Sequence, residues 1–283
     1  MRPWIVFAFL APLAAQDNGP TADEIMARVA ENQDRAVRAR AEFVYRQNVA
    51  VRLRNTQNRL VREEISDFLV TPQEGRTHRD LAQFSGRYEH EGAMVSYPKS
   101  GYEGEGGFRG EADGHLAKNM CKELTGSEKS RDGLDPELFP LTARQQRYYR
   151  FQSKGKETYR GTPVYRVAFL PKKRGNITDS DDAIWKGEAL VSTSDFEPLT
   201  ISTSLAHGVP FWVKTALGTN LGGLGFSVSY QKFEDGVWFP VSYGTEFHVR
   251  VLYIYSRKVA ISMTNSDFRR ADVQSSVEFG PVQ

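Results

Sequence analysis

The chain has 283 residues, with 37 Lys and Arg against 35 Asp and Glu, a formal net charge of +2 at pH 7. So even a balance gives no electrostatic reason to expect nucleic acid as a partner, and the single cysteine, Cys121, excludes an intramolecular disulfide and a cysteine-built metal centre. The length suits one large domain, or two small ones, held by packing alone; one domain is the simpler expectation.

Met1-Arg2-Pro3 followed by the apolar run Trp4 to Ala15 reads as an export signal, too short to span a membrane. Cleavage is expected near Ala15, although Leu13 is bulky for the third position before the cut. No cysteine follows the run, so the usual lipid-modified cysteine anchor is lacking, and the mature chain 16–283 is expected free in the periplasm as a monomer.

Thr21-Ala22-Asp23-Glu24 has the capping-box form, in which the Thr hydroxyl and the Glu carboxylate satisfy each other's orphan amides at a helix start. A helix is predicted from there to about Arg40. Ile25, Met26, Val29, Ala30, Ala36 and Val37 fall roughly on one stripe, with Glu31, Asp34, Arg35 and Arg38 facing away.

From Glu42 the period changes to two. Phe43, Tyr45, Val49, Val51 and Leu53 alternate with polar residues, and the same pattern returns at Tyr165, Val167 and Phe169, at Leu199, Ile201, Thr203 and Leu205, and at Phe226, Val228 and Tyr230. Phe247, Val249, Val251, Tyr253 and Tyr255 read as one further strand. Turn signals at 54–58, 159–163, 195–198 and 233–237 predict short connections, hence antiparallel neighbours. The stretch 97–147 interrupts the pattern with glycine, charge and helix formers, and predicts a mobile, partly helical insertion. Phe211–Gly225 is apolar and glycine-rich, a loop suited to lying on apolar surface. Both are candidate lids.

No catalytic arrangement emerges. The five histidines have no HExxH-type spacing, no Gly-x-Ser-x-Gly elbow occurs, and the glycines at 218, 222, 223 and 225 make neither a dinucleotide fingerprint nor a phosphate loop. Asp179-Ser180-Asp181-Asp182 lacks the rest of a calcium loop and reads as a solvated acidic turn. No metal and no cofactor are expected.

Between Arg35 and Arg62 there are eight arginines and one acid, Glu42. Arg46, Arg52 and Arg54 are out of phase with the apolar positions of their strand and so predict a polar outer face, either merely solubilising or a docking surface for anionic lipid or an acidic partner protein. The apolar alternation is what any sandwich or barrel core shows. With few helices to cover a long curved sheet, an apolar hollow is the sharper expectation.

The order of elements, together with Thr162-Pro163-Val164-Tyr165-Arg166-Val167-Ala168-Phe169-Leu170-Pro171-Lys172, the stretch Gly187–Leu199 with its Asp195-Phe196-Glu197-Pro198 turn, and Val237-Trp238-Phe239-Pro240, resembles the periplasmic LolA/LolB-like family of outer-membrane lipoprotein-sorting proteins. The resemblance covers most of the mature chain. It implies an α+β fold, mainly antiparallel β, in which a half-open curved β-barrel sheet carries helical lids over an apolar concave face and accepts acyl chains.

The expected function is therefore non-enzymatic binding or transfer of lipid or lipoprotein acyl chains. The expected ligand wall is Phe43, Tyr45, Val49, Val51, Tyr165, Val167, Phe169, Phe226, Val228, Phe247, Val249 and Val251, with peripheral membrane contact through Arg46, Arg52 and Arg54. An envelope sensor or assembly factor gripping a protein partner is the second expectation. An enzyme acting on lipid or glycan is the third; it would need converging polar groups inside the cavity, and the strand patterns offer almost none.

Overall fold

The computed structural model describes residues 19–73, 76–104, 107–125, 140–172, 185–206, 220–222, 225–233, 236–251 and 255–271. The export signal and most of the second candidate lid lie outside these residues.

Helix α1 (Ala22–Arg40) begins at the capping box as expected: Thr21 accepts from the Glu24 amide, and the Glu24 carboxylate accepts from the Thr21 amide at 2.7 Å. Ile25, Met26, Val29, Ala30 and Ala36 are buried, but Val37 is only half-buried; Gln33 and Arg40 complete the inner stripe instead. Strands β1 (Phe43–Arg54), β2 (Leu60–Gln73), β3 (Arg76–His90) and β4 (Ala93–Tyr97) follow as a meander. The insertion then supplies α2 (Gly107–Thr125) and the single turn α3 (Ala143–Gln146).

The remaining strands are β5 (Tyr149–Tyr159), β6 (Thr162–Pro171), β7 (Trp185–Ser192), β8 (Pro198–Leu205), β9 (Asn220–Gly222), β10 (Ser227–Lys232), β11 (Trp238–Val251) and β12 (Tyr255–Arg270). All described pairings are antiparallel, in the order β4-β3-β2-β1-β12-β11-β10-β8-β7-β6-β5, with β9 added to β11 beyond the end of β10. β4 and β5 are the two free ends of this order, so the curved sheet does not close. The expected half-open sheet with helices on its concave side is what the chain forms.

One expected strand is two. Phe247 through Tyr255 does not run on as a single element: β11 ends at Val251, and Tyr255 opens β12 directly opposite it. Alternation alone conceals this reversal, because the buried apolar residues keep odd-numbered positions on both sides of it, Phe247 and Val249 before and Tyr255 and Val259 after.

Candidate functional site

The strand registers place an apolar row across the concave face. Val49 of β1 is opposite Met263, Met263 opposite Tyr243, Tyr243 opposite Val228, Val228 opposite Ile201, Ile201 opposite Ala189, and Ala189 opposite Val167. Directly opposed residues share a face, so the row crosses seven strands from β1 to β6. Beyond it the positions turn polar, with Ser66 on one side and Ser153 on the other. Val51, Tyr165, Phe169, Phe226, Phe247 and Val249 join the same buried cluster. Ala22, Ile25, Met26 and Val29 of α1, and Leu116, Ala117 and Met120 of α2, cover it. The Tyr243 hydroxyl is buried in this layer with no hydrogen-bond partner among the described residues, and burial raises the phenol well above its ordinary pKa.

Phe43 and Tyr45 are buried, yet they pack elsewhere. They join Phe239, Phe268 and Phe233 in an aromatic cluster, with Phe43 and Phe239 ring centres 4.9 Å apart and Tyr45 stacked on Phe268 at 5.2 Å. Between this cluster and Val49, on the same face of β1, Gln47 donates to Asn265 at 3.2 Å and accepts from Arg79 at 3.1 Å. That buried amide bridge divides the expected wall in two. The side chain of Val251 lies outside the described residues.

The concave face also carries a polar cluster that strand alternation did not foretell. Arg62 and Glu64 of β2 face inward opposite Leu53 and Val51, and both are almost fully buried. Arg62 donates to the Tyr102 carbonyl at 2.6 Å, to the Gly110 carbonyl at 3.3 Å and to the Tyr97 hydroxyl at 3.2 Å. Tyr97 in turn donates to Glu64 at 2.8 Å; burial first, then the Glu64 charge, keep this phenol protonated. Nearby, Asp113 of α2 accepts from the Tyr255 hydroxyl at 2.6 Å and from Arg257 at 2.8 and 2.9 Å. The expectation of almost no inward polar groups is therefore corrected. The charges at Arg62, Glu64 and Arg257 are in phase with the apolar face because each has a buried partner to neutralise it.

Next to this cluster is a cavity of about 540 Å³ lined by residues of the β1–β2 turn, the first turns of α2 and the start of β12. Its signal in the sequence is Arg59 and Arg62 at the end of the arginine-rich stretch, with Arg109 outside it.

Polar contacts also tie α1 down at its far end. Asn32 donates to the Asp195 and Phe196 carbonyls at 2.7 and 3.1 Å, Gln33 donates to the Glu197 carboxylate at 2.7 Å, and the buried Arg40 donates to the Trp238 carbonyl at 2.7 Å. Burial pushes the Glu197 carboxyl up to about 7, with Arg40 and the Gln33 hydrogen bond opposing it.

On the convex face, Arg52 pairs with Glu63 at 2.7 Å, and Arg87 pairs with the same carboxylate at 2.6 Å. Burial disfavours the Glu63 charge, but these two hydrogen-bonded guanidiniums outweigh it and hold the carboxyl below its ordinary range. Arg54 donates to the Asn58 carbonyl at 3.2 Å, and the exposed Arg46 is 3.6 Å from Asp267. The acids that answer this arginine run lie just past its end or across the sheet.

No protein-family model matches the chain, and no curated protein matches it. Among solved structures, it is similar to a protein described as an outer membrane lipoprotein-sorting protein domain from Vibrio parahaemolyticus, at 14% identity over 90% of this chain and 95% of that one, with a TM-score of 0.40. A LolA superfamily protein from Nitrosomonas europaea matches at 13% identity over 90% and 96%, with a TM-score of 0.31. The lipoprotein LppX of Mycobacterium tuberculosis matches at 10% identity over 86% and 94%, with a TM-score of 0.22.

Proposed function

We propose that this protein is a non-enzymatic periplasmic carrier that binds the acyl chains of lipid or lipoprotein on its concave face and takes part in outer-membrane lipoprotein sorting. One observation carries the reading: an apolar row seven strands wide whose cover, among the described residues, is two helices that pack on it with apolar side chains and are tied to the sheet at polar anchors. The proposed wall is Val49, Val51, Tyr165, Val167, Phe169, Phe226, Val228, Phe247 and Val249. Each methylene of an acyl chain buried there is worth about 0.8 kcal/mol without polar recognition, offset by the apolar helix surface that it displaces. The Tyr243 hydroxyl inside the layer, unmatched among the described residues, suits an ester carbonyl of such a ligand. Arg46 on the convex face suits transient contact with an anionic membrane.

The test is uptake. Delipidated protein is mixed with palmitate, a phospholipid and an acylated peptide, and adducts are weighed by native mass spectrometry. A stoichiometric adduct with at least one of them is expected; no adduct with any of the three overturns the reading.

A further inference from the structure

We infer that the polar cavity beside α2 is a phosphate-binding site that holds the head group of an amphiphile whose chains lie on the apolar concave face, an inference that rests on the carrier reading. The cavity, about 540 Å³, is lined by four guanidinium side chains, Arg59, Arg62, Arg109 and Arg257, against two carboxylates, Glu89 and Asp113. Both Asp113 oxygens are already taken by Arg257 and Tyr255. Glu89 accepts from the Gly92 amide at 2.8 Å. Arg62 and Arg257 already face Glu64 and Asp113, so the charge left over in the lining is that of Arg59 and Arg109 against Glu89, a local positive excess in a nearly neutral chain.

Arg62 supplies a second, independent sign of a ligand. Its side chain is 1% exposed, its terminal nitrogens bond to Tyr97, Tyr102 and Gly110, and its Nε is buried with no hydrogen-bond partner among the described residues. This Nε is shielded from solvent, so an acceptor in the cavity reaches it only by a shift of the Arg62 side chain, which the unmatched donor favours. The first turn of α2 adds to it. That turn contains no acidic residue, Gly107 opens it at φ +57°, and Arg109 and Gly110 line the cavity. The positive end of a helix favours an anion there.

Chemistry selects phosphate over carboxylate. One guanidinium can satisfy both oxygens of a carboxylate, whereas a phosphate offers three acceptor oxygens to several donors converging from different directions. Position selects an amphiphile. Arg62 is directly opposite Leu53 of the apolar cluster, and Asp113 precedes Leu116 and Ala117 by one helical turn, so the cavity adjoins the apolar layer at the edge of α2.

The experiment compares phosphatidic acid, the diacylglycerol with the same chains, and inorganic phosphate, each titrated into delipidated wild-type protein and into the double variant Arg59→Gln, Arg109→Gln. Both positions are exposed, so the variant is expected to fold, which circular dichroism checks. Wild-type protein is expected to prefer phosphatidic acid over diacylglycerol by about tenfold or more, and the variant to lose most of that preference while binding diacylglycerol unchanged. Equal binding of the two lipids by the wild type, or a preference that survives in the variant, overturns the head-group site and leaves the carrier reading intact. Uptake of neither lipid overturns the carrier reading instead; binding of inorganic phosphate that the double substitution abolishes would then keep the phosphate site and assign it to the free ion.

Discussion

Glu63 and Glu64 are consecutive residues of β2 that answer arginines on opposite faces of the sheet. Glu63 is held on the convex face by Arg52 and Arg87 at 2.7 and 2.6 Å, while Glu64 lies on the concave face, 3.6 Å from Arg62 and bonded to Tyr97. The partners differ in exposure: the Arg52 and Arg87 side chains are 37% and 48% exposed, and that of Arg62 is 1% exposed. Removing Glu63 lets two guanidiniums return to water, whereas removing Glu64 strands a buried one. Glu63→Gln is therefore expected to cost about 1 kcal/mol or less, and Glu64→Gln about 3 kcal/mol or more. Urea unfolding of the two variants checks this, and a larger loss for Glu63→Gln would contradict it.

This pair also shows where the sequence was legible. Alternation in β1 correctly assigned Tyr45, Val49, Val51 and Leu53 to the inside and Arg46, Arg52 and Arg54 to the outside, because a two-residue period fixes the face. It could not show that Glu64 and Arg62, in the same phase one strand away, also point inward. A buried ion pair looks in sequence like two solvated residues, and only cross-strand register brings them together. The same limit separated Phe43 and Tyr45 from the main apolar cluster: Gln47 is buried because Asn265, 218 positions away, bonds to it. The capping box of α1 was fully legible, since its partners are three residues apart.

Glu197 makes stability depend on pH. Its carboxyl is pushed up to about 7 in the folded protein, against an ordinary value near 4.5, by burial under α1. The folded state thus binds the proton more tightly than the unfolded chain does. The resulting contribution is fully present below about pH 4.5 and is lost as pH rises through about 7. Each tenfold difference in proton affinity between the two states is worth about 1.4 kcal/mol, so the loss on this group's account is of order 3 kcal/mol. Glu197→Gln mimics the protonated form, so its stability relative to wild type should improve as pH rises from about 5 to about 8. Thermal melts across that range check the sign; a relative gain toward acid pH would refute the assignment.

Gly86 marks the closest approach on β3. A Cβ there would come within 3.0 Å of the Tyr97 ring, and the Tyr97 hydroxyl bond to Glu64 keeps the ring from moving aside. Gly86→Ala is expected to cost about 1–3 kcal/mol through overpacking. The cost should largely vanish in a Tyr97→Ala background, where the ring is gone. A double-mutant cycle measured by chemical unfolding reads this coupling directly, and additive losses would place the strain elsewhere.

Asp113 ties α2 to the sheet, and the carrier reading makes that tie a latch. Its carboxylate takes one bond from Tyr255 and two from Arg257, while α2 also makes apolar contact through Ala112, Leu116, Ala117 and Met120 and receives the Arg62 bond at the Gly110 carbonyl. Asp113→Asn removes the charge and turns a donor toward Arg257, at an expected cost of about 3 kcal/mol. If α2 is a cover, that loss falls on its opening rather than on the sheet. Hydrogen exchange should then quicken through α2 while β1 and β12 keep their protection, and acyl-chain uptake should be faster than in the wild type because the apolar row is exposed more often. If α2 is instead a fixed wall of the core, exchange quickens in sheet and helix alike and uptake does not speed up, since no separate opening exists for the substitution to favour.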